Sequence, residues 1–260
     1  MQIACIPALV IVLLLVFAVA LPAGAAPLSA AQAVAWQQWL APLPKEADLT
    51  GKRTVPLADL RLTLPAQPTE LDQCLAAELA AALGDRAGAK LDLLSPGGKA
   101  TLDFSRTPAA RTALAGKRNA DQGYVLTATQ TARGTSVHCD ALTDVGSYYG
   151  MKTLKQLLLT SLQGTGAAAT VDLPLGTVLD WPDLEERGQW GGTCTQDLEA
   201  LSDLKSNLIE LHATLKVDDQ GVPHATMNSE VMERARRHAV RIVPIIHHLE
   251  QLPGTGMFQA

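Results

Sequence analysis

No charged side chain precedes Lys45, and nowhere do lysines and arginines gather into a run. With 21 basic residues against 26 acidic ones, the formal net charge is -5. That balance argues against a nucleic-acid binder, which presents a basic face to phosphate. Four cysteines are too few for a disulfide-built scaffold. Neither a His-Glu-x-x-His sequence nor a paired cysteine spacing occurs, so the sequence specifies no metal. What remains, 47% hydrophobic and 18% charged residues over 260 positions, is globular in composition and predicts one or two domains.

The apolar run from Ile6 to Leu21 falls short of the ~20 residues that cross a bilayer. Pro22 and the small-x-small sequence Ala23-Gly24-Ala25 follow it. Residues 1–25 are therefore expected to be a signal peptide cleaved after Ala25, with export to the periplasm or the medium and no stable membrane insertion afterwards. An uncleaved anchor is the alternative, since the segment lacks the usual positive n-region. The mature chain keeps Cys74, Cys139 and Cys194, an odd number that leaves at least one thiol unpaired.

Ser29 is placed to cap a helix over 29–40, and the proline-bearing stretch from Ala41 to Pro56 reads as a connection. Leu60, Leu62 and Leu64 alternate as in a strand. Thr69 opens a helix with Leu71, Leu75, Leu79 and Leu83 on one stripe and Gly84 as its stop. Residues 89–94 and 100–104 are strand candidates, and 105–119 read as polar and irregular. Tyr124, Leu126 and Ala128 alternate, Gly134 turns the chain, and Ser136 to Ala141 returns as a hairpin. Met151, Leu154, Leu157 and Leu158 then have helical spacing. Short strand pieces at 171–173 and 177–179 lead to Asp180-Trp181-Pro182-Asp183. Beyond it, strands near 187–190, 207–213 and 240–246 alternate with helices near 195–205 and 229–239. This β-α-β-α-β order implies parallel pairing. Three strands close no barrel, and the sequence stops just after the third, so a piece of a longer protein is expected.

Two motifs carry a resemblance. DQGYVLTATQTARGTSVHCDALTDVGSYYGMKTLKQLL, residues 121–158, resembles the small N-terminal domain of glycoside hydrolase family 20, the bacterial-type β-N-acetylhexosaminidases. DWPDLEERG, residues 180–188, is similar to that family's junction into its catalytic (β/α)8 barrel; glycoside hydrolase family 84 has a comparable junction and is the near alternative. The resemblance implies an α+β domain over 27–178, a sheet with helices on one face, then an incomplete (β/α)8 TIM barrel over 180–260. It also implies removal of terminal N-acetylhexosamine with retention, by attack of the substrate's own acetamido oxygen. The Asp-Glu pair that serves this chemistry lies at the end of the fourth barrel strand, beyond residue 260, so no catalytic residue is expected in the chain itself. The partner is an N-acetylhexosamine-containing glycan, with neither cofactor nor metal. The low aromatic content fits a small exo-acting pocket better than a long groove. A non-catalytic carbohydrate-binding relative and a structural or interaction protein stay open as other classes.

Arg187 matches the arginine that holds sugar hydroxyls in the family, work suited to the guanidinium fork; a junction ion pair with Glu185 or Asp183 is the other reading. The sequence then departs from the family, with Gln189-Trp190-Gly191 where an aspartate is common. Trp190 is a candidate sugar platform or an ordinary packing residue. Asp218 and Asp219, in Asp-Asp-Gln-Gly, match a family loop that supports a histidine, or form a solvated turn. His247, His248 and Glu250 end the third strand, the edge where barrel active sites form. Tyr148 and Tyr149 are expected to pack between the two units, and the polar residues of the first unit form no convergent set.

Overall fold

A computed structural model describes residues 25–131 and 134–246. The expected signal peptide, residues 1–25, lies outside the described residues except for Ala25, as do His247, His248 and Glu250.

Ser29 caps α1 (Ala30–Gln37) through a capping box with Gln32. β1 (Ala25–Pro27) precedes it, and β2 (Glu46–Pro56) follows. β2 corrects the reading of 41–56 as a connection: its prolines stand at or beyond the ends of the strand, where no ladder donor is missed. β3 (Leu60–Thr63) leads to α2 (Glu70–Ala87), opened by a Thr69–Asp72 capping box. Gly84 does not stop α2. The helix ends at Gly88, which takes the left-handed φ of 64° that suits glycine, while Gly84 lies buried within it, where a β-carbon would stand 2.6 Å from the Ala89 carbonyl. Residues 89–94 form no strand.

β4 (Ala100–Ser105), the short α3 (Pro108–Ala113), β5 (Tyr124–Thr131) and β6 (Gly134–Ala141) come next. α3 falls in a stretch read as irregular, where proline at its first turn supplies the start. α4 (Asp144–Ser161) and β7 (Thr170–Asp180) complete the first unit. β7 is one strand where two pieces were read, because Gly176 carries it through φ 130° at a bulge opposite Leu49 and Gly51.

The sheet order is β1-β2-β7-β5-β6-β4-β3. The β5–β6 hairpin pairs antiparallel, whereas β4 pairs parallel to both β6 and β3. β6 alternates buried and half-buried positions along its whole length, the pattern of a sheet packed on one face. α4 lies against β5, β6 and β7, and α2 packs on α4. Leucines of α2, α4, β3 and β4 share one core. On the opposite face Asp103 accepts from Ser136 and stands 3.5 Å from His138, so that face is polar and wet.

The second unit holds β8 (Gly188–Trp190), α5 (Leu198–Asp203), β9 (Leu208–His212), β10 (Thr214–Val217), β11 (Pro223–Thr226), α6 (Ser229–Arg237) and β12 (Arg241–Ile245). β8, β9 and β12 form a parallel sheet in the order β12-β9-β8, as the alternation predicts. β10 and β11 are a hairpin that the sequence reading missed. Ile209 packs with Leu198 and Leu201 of α5 and Ala235 of α6. The register puts Trp190, Glu210 and Val243 side by side on the other face, and none of them is buried. Among the described residues, helices therefore cover one face of this sheet and none covers the other.

Gly150 sets how closely α4 approaches the first sheet: a β-carbon there would lie 2.3 Å from Cys139 Sγ and 3.2 Å from the Tyr124 ring. Gly150→Ala is expected to cost about 1–3 kcal/mol in urea unfolding through overpacking. Cys139→Ala in the same chain is expected to recover part of that loss, as a double-mutant cycle would show.

Candidate functional site

The open face of β8, β9 and β12 ends at a C-terminal edge where Trp190 and His212 meet. Their rings stand edge to face with centroids 5.6 Å apart, and Trp190 is 63% exposed. Glu210 lies beside Trp190 in register. Behind them the Cys194 thiol donates to the Gln189 side-chain oxygen at 3.2 Å. An exposed aromatic face next to a carboxylate and an imidazole can hold a ring with an apolar side and polar substituents.

Asp218 and Asp219 stand in the tight turn joining β10 to β11. Asp218 accepts from the backbone N–H groups of Gln220 and Val222, both at 2.9 Å, and stands 2.8 Å from His224 Nε2. The His224 contact first, then the two N–H groups, keeps its carboxyl below the ordinary range. The histidine beside Asp218 is thus the hairpin's own His224.

Arg187 lies at the other end of β8, just before the strand. Its guanidinium donates to the carbonyl oxygens of Lys205 at 3.0 Å and Leu184 at 2.6 Å, and to Gln122 Oε1 at 2.9 Å. It lies 5.5 Å from the centre of the Tyr149 ring. Its partners are carbonyl oxygens and an amide rather than the carboxylate of Asp183, which pairs with Lys45. Tyr149 joins the first unit to this junction as expected. Burial pushes its hydroxyl up to about 12, against the lowering effect of Arg187.

The structure corrects the expectation that polar residues of the first unit form no convergent set. Lys152 and Lys155, both buried on α4, share the carboxylate of Glu78 from α2; Lys155 Nζ lies 2.8 Å from it. The same ammonium groups reach across to α5. Lys152 is 2.9 Å from Asp203, and Lys155 is 2.5 Å from Asp203 and 2.9 Å from Glu199. Tyr148 donates to Glu78 at 2.5 Å, and His238, at the end of α6, lies 3.2 Å from that hydroxyl. Burial opposes the ionisation of Glu78, but His238 and the two lysine charges outweigh it and hold the carboxyl well below the usual range. Burial also opposes the charge of Lys155, yet Glu78 and Asp203 raise its pKa; at Lys152 burial prevails and lowers it. Oxygens of Glu78, Glu199 and Asp203 approach within 4.8 Å of one another, close enough to ligate a cation. The lysines already supply that positive charge, so the cluster ties the two units together. Its sequence signal was two lysines at i and i+3 among the core-facing residues of one helix.

A second buried pair lies nearby. Lys205 donates to Asp180 at 2.6 Å and to the Tyr124 hydroxyl at 2.8 Å. Its backbone takes a left-handed φ of 54°, an uncommon conformation for a residue with a side chain. Among the described residues Cys74, Cys139 and Cys194 are all free thiols, and no helix is long and apolar enough to cross a membrane.

Residues 37–181 match the model of glycosyl hydrolase family 20, domain 2. No curated protein sequence matches the chain. Among solved structures it is similar to the N-acetyl-β-hexosaminidase of Streptomyces plicatus in complex with thio-NAglucal, with TM-score 0.55 and 18% identity over 79% of this chain and 45% of that one. It is similar to the exo β-N-acetylglucosaminidase of Vibrio harveyi in complex with N-acetylglucosamine, with TM-score 0.56 and 16% identity over 80% of this chain and 36% of that one. The β-N-acetylhexosaminidase of Streptomyces coelicolor A3(2) gives TM-score 0.56 and 17% identity over 85% of this chain and 47% of that one. The chain thus spans less than half the length of each. At these identities the likeness is one of fold. Family 84, left open by the junction motif, gains no support.

Glu78→Gln is expected to destabilise the chain by about 1–3 kcal/mol in chemical denaturation, because two buried ammonium groups lose a charged acceptor and keep only Asp203 and Glu199. With its folded pKa depressed, Glu78 contributes stability that is fully present above the unfolded value of about 4.3 and lost as pH falls through the lower folded value. The variant is expected to lose that acid limb, which unfolding followed from pH 7 into acid checks.

Proposed function

The chain belongs to glycosyl hydrolase family 20, and from that membership we propose that the whole protein is an exported β-N-acetylhexosaminidase that removes terminal N-acetylhexosamine from glycans. The observation that carries the reading is the join. The family domain runs straight into three parallel strands whose helices cover one face only. A parallel sheet needs both faces covered, and barrel closure covers the second by turning it into an interior. On this reading residues 27–178 form the hexosaminidase-type α+β domain, and residues 180–260 contribute strands to a (β/α)8 barrel.

Barrel active sites form at the C-terminal ends of the strands. Trp190 and His212 belong to that edge, and Trp190 offers a sugar ring an aromatic face. Asp218 and Asp219 stand in the hairpin turn that follows the second strand, and His247, His248 and Glu250 come after the third strand in the sequence. Arg187 lies at the opposite end of β8, its guanidinium engaged by the Leu184 and Lys205 carbonyls and Gln122. The S. plicatus and V. harveyi enzymes were solved with thio-NAglucal and N-acetylglucosamine, which supports an N-acetylhexosamine as substrate. In the reaction proposed, the substrate's acetamido oxygen attacks the anomeric carbon while a glutamic acid protonates the leaving oxygen. Water then opens the bicyclic intermediate with net retention. The acid pair comes from a later barrel strand, and neither metal nor cofactor takes part. A non-catalytic sugar-binding relative is the second reading, favoured by Gln189-Trp190-Gly191 where the family commonly carries an aspartate.

The whole protein is expected to hydrolyse an aryl N-acetyl-β-glucosaminide with retention, read by NMR of the first-formed anomer, whereas residues 1–260 alone are expected to give no turnover. No hydrolysis by the whole protein would sink the enzyme reading and leave the binding relative. Trp190→Ala in the active protein is expected to raise KM about tenfold. Because Trp190 is exposed, the change is expected to shift stability by less than about 0.5 kcal/mol.

A further inference from the structure

We propose that the cavity at the junction of the two units is a second carbohydrate-binding site that takes a single pyranose-sized sugar. The cavity has a volume of about 290 Å³, near the lower end of the range for small-molecule sites. Leu43, Trp181 and Leu184 give it apolar walls, and Lys45, Asp183 and Gln122 add polar groups. A pyranose combines an apolar C–H face with hydroxyls that donate and accept, and this lining matches both. Lys117, which does not line the cavity, lies 3.8 Å over the Trp181 ring and steadies it.

A further observation concerns Tyr149, which is 1% exposed. Its buried hydroxyl interacts with the Arg187 guanidinium, which lies 5.5 Å from the centre of the ring. The same side chain lines an adjoining cavity of about 200 Å³. The site is separate from the mouth at Trp190. It lies by Arg187 and Lys205, residues that precede the strands β8 and β9, whereas Trp190 and His212 end them.

The choice of sugar rests on the proposed function; the existence of the site does not. The test titrates N-acetylglucosamine into the isotope-labelled chain of 260 residues and follows the Trp181 indole and the Gln122 amide by NMR. Saturable shifts of both are expected, with affinity weakened about tenfold by Trp181→Ala and by Leu184→Trp, and unchanged by Trp190→Ala. Leu184 is 66% exposed, so filling the mouth from there leaves the core intact even if Trp181→Ala fails to fold. Absence of saturable shifts, or binding that survives Leu184→Trp and disappears in Trp190→Ala, overturns the second site. Turnover by the whole protein decides the enzyme reading separately: an active enzyme without junction binding loses only this proposal, and an inactive protein with junction binding loses only the other.

Discussion

The carboxylate of Glu78 accepts hydrogen bonds from Lys152, Lys155 and Tyr148, and the two lysines reach on to Asp203 and Glu199 of α5. Burying ions is costly, and their attraction offsets that cost only when each charge finds a partner in good geometry. Here the partners come from three helices, two in the first unit and one in the second. The lysines meet the Asp203 and Glu199 carboxylates only while α5 is seated on α4. The arrangement therefore specifies one position of the second unit against the first, which apolar packing alone, being non-directional, would do less sharply.

The rest of the junction repeats that device at smaller scale. Lys205, placed just after α5 by its left-handed backbone, reaches Asp180 at the end of β7 and Tyr124 at the start of β5. Arg187 draws together the carbonyls of Leu184 and Lys205 and the amide of Gln122. β8 is only three residues long, too short to be stable by its own pairing. Side chains anchored in the first unit hold its beginning, so the first domain acts as a base plate on which the parallel strands start.

Much of the first unit was legible because its signals are local. The β5–β6 hairpin and the helix after Gly146 follow from alternation and helical spacing. The parallel order of β8, β9 and β12 follows from strand and helix alternation. β2 was hidden by flanking prolines that its pairing with β7 tolerates, and the end of α2 was misread because both Gly84 and Gly88 carry the same local signal. The β10–β11 hairpin escaped because its strands are four residues each and almost wholly polar or exposed. At the candidate site, Trp190 was recognisable as an exception to the family pattern. The partners of Arg187 and Asp218, in contrast, depend on segments distant in sequence or on a hairpin not foreseen.

By itself the sequence determined the family, because the 121–158 and 180–188 motifs are properties of contiguous residues. Only the tertiary structure decided what the charges do. Lys152 and Lys155 look misplaced on an apolar helix until Glu78, more than seventy residues away, and Asp203, about fifty away, close around them. Coulomb attraction acts through space and strengthens as water is excluded. Its partners are therefore set by how the helices pack, and residue spacing along the chain does not reveal them.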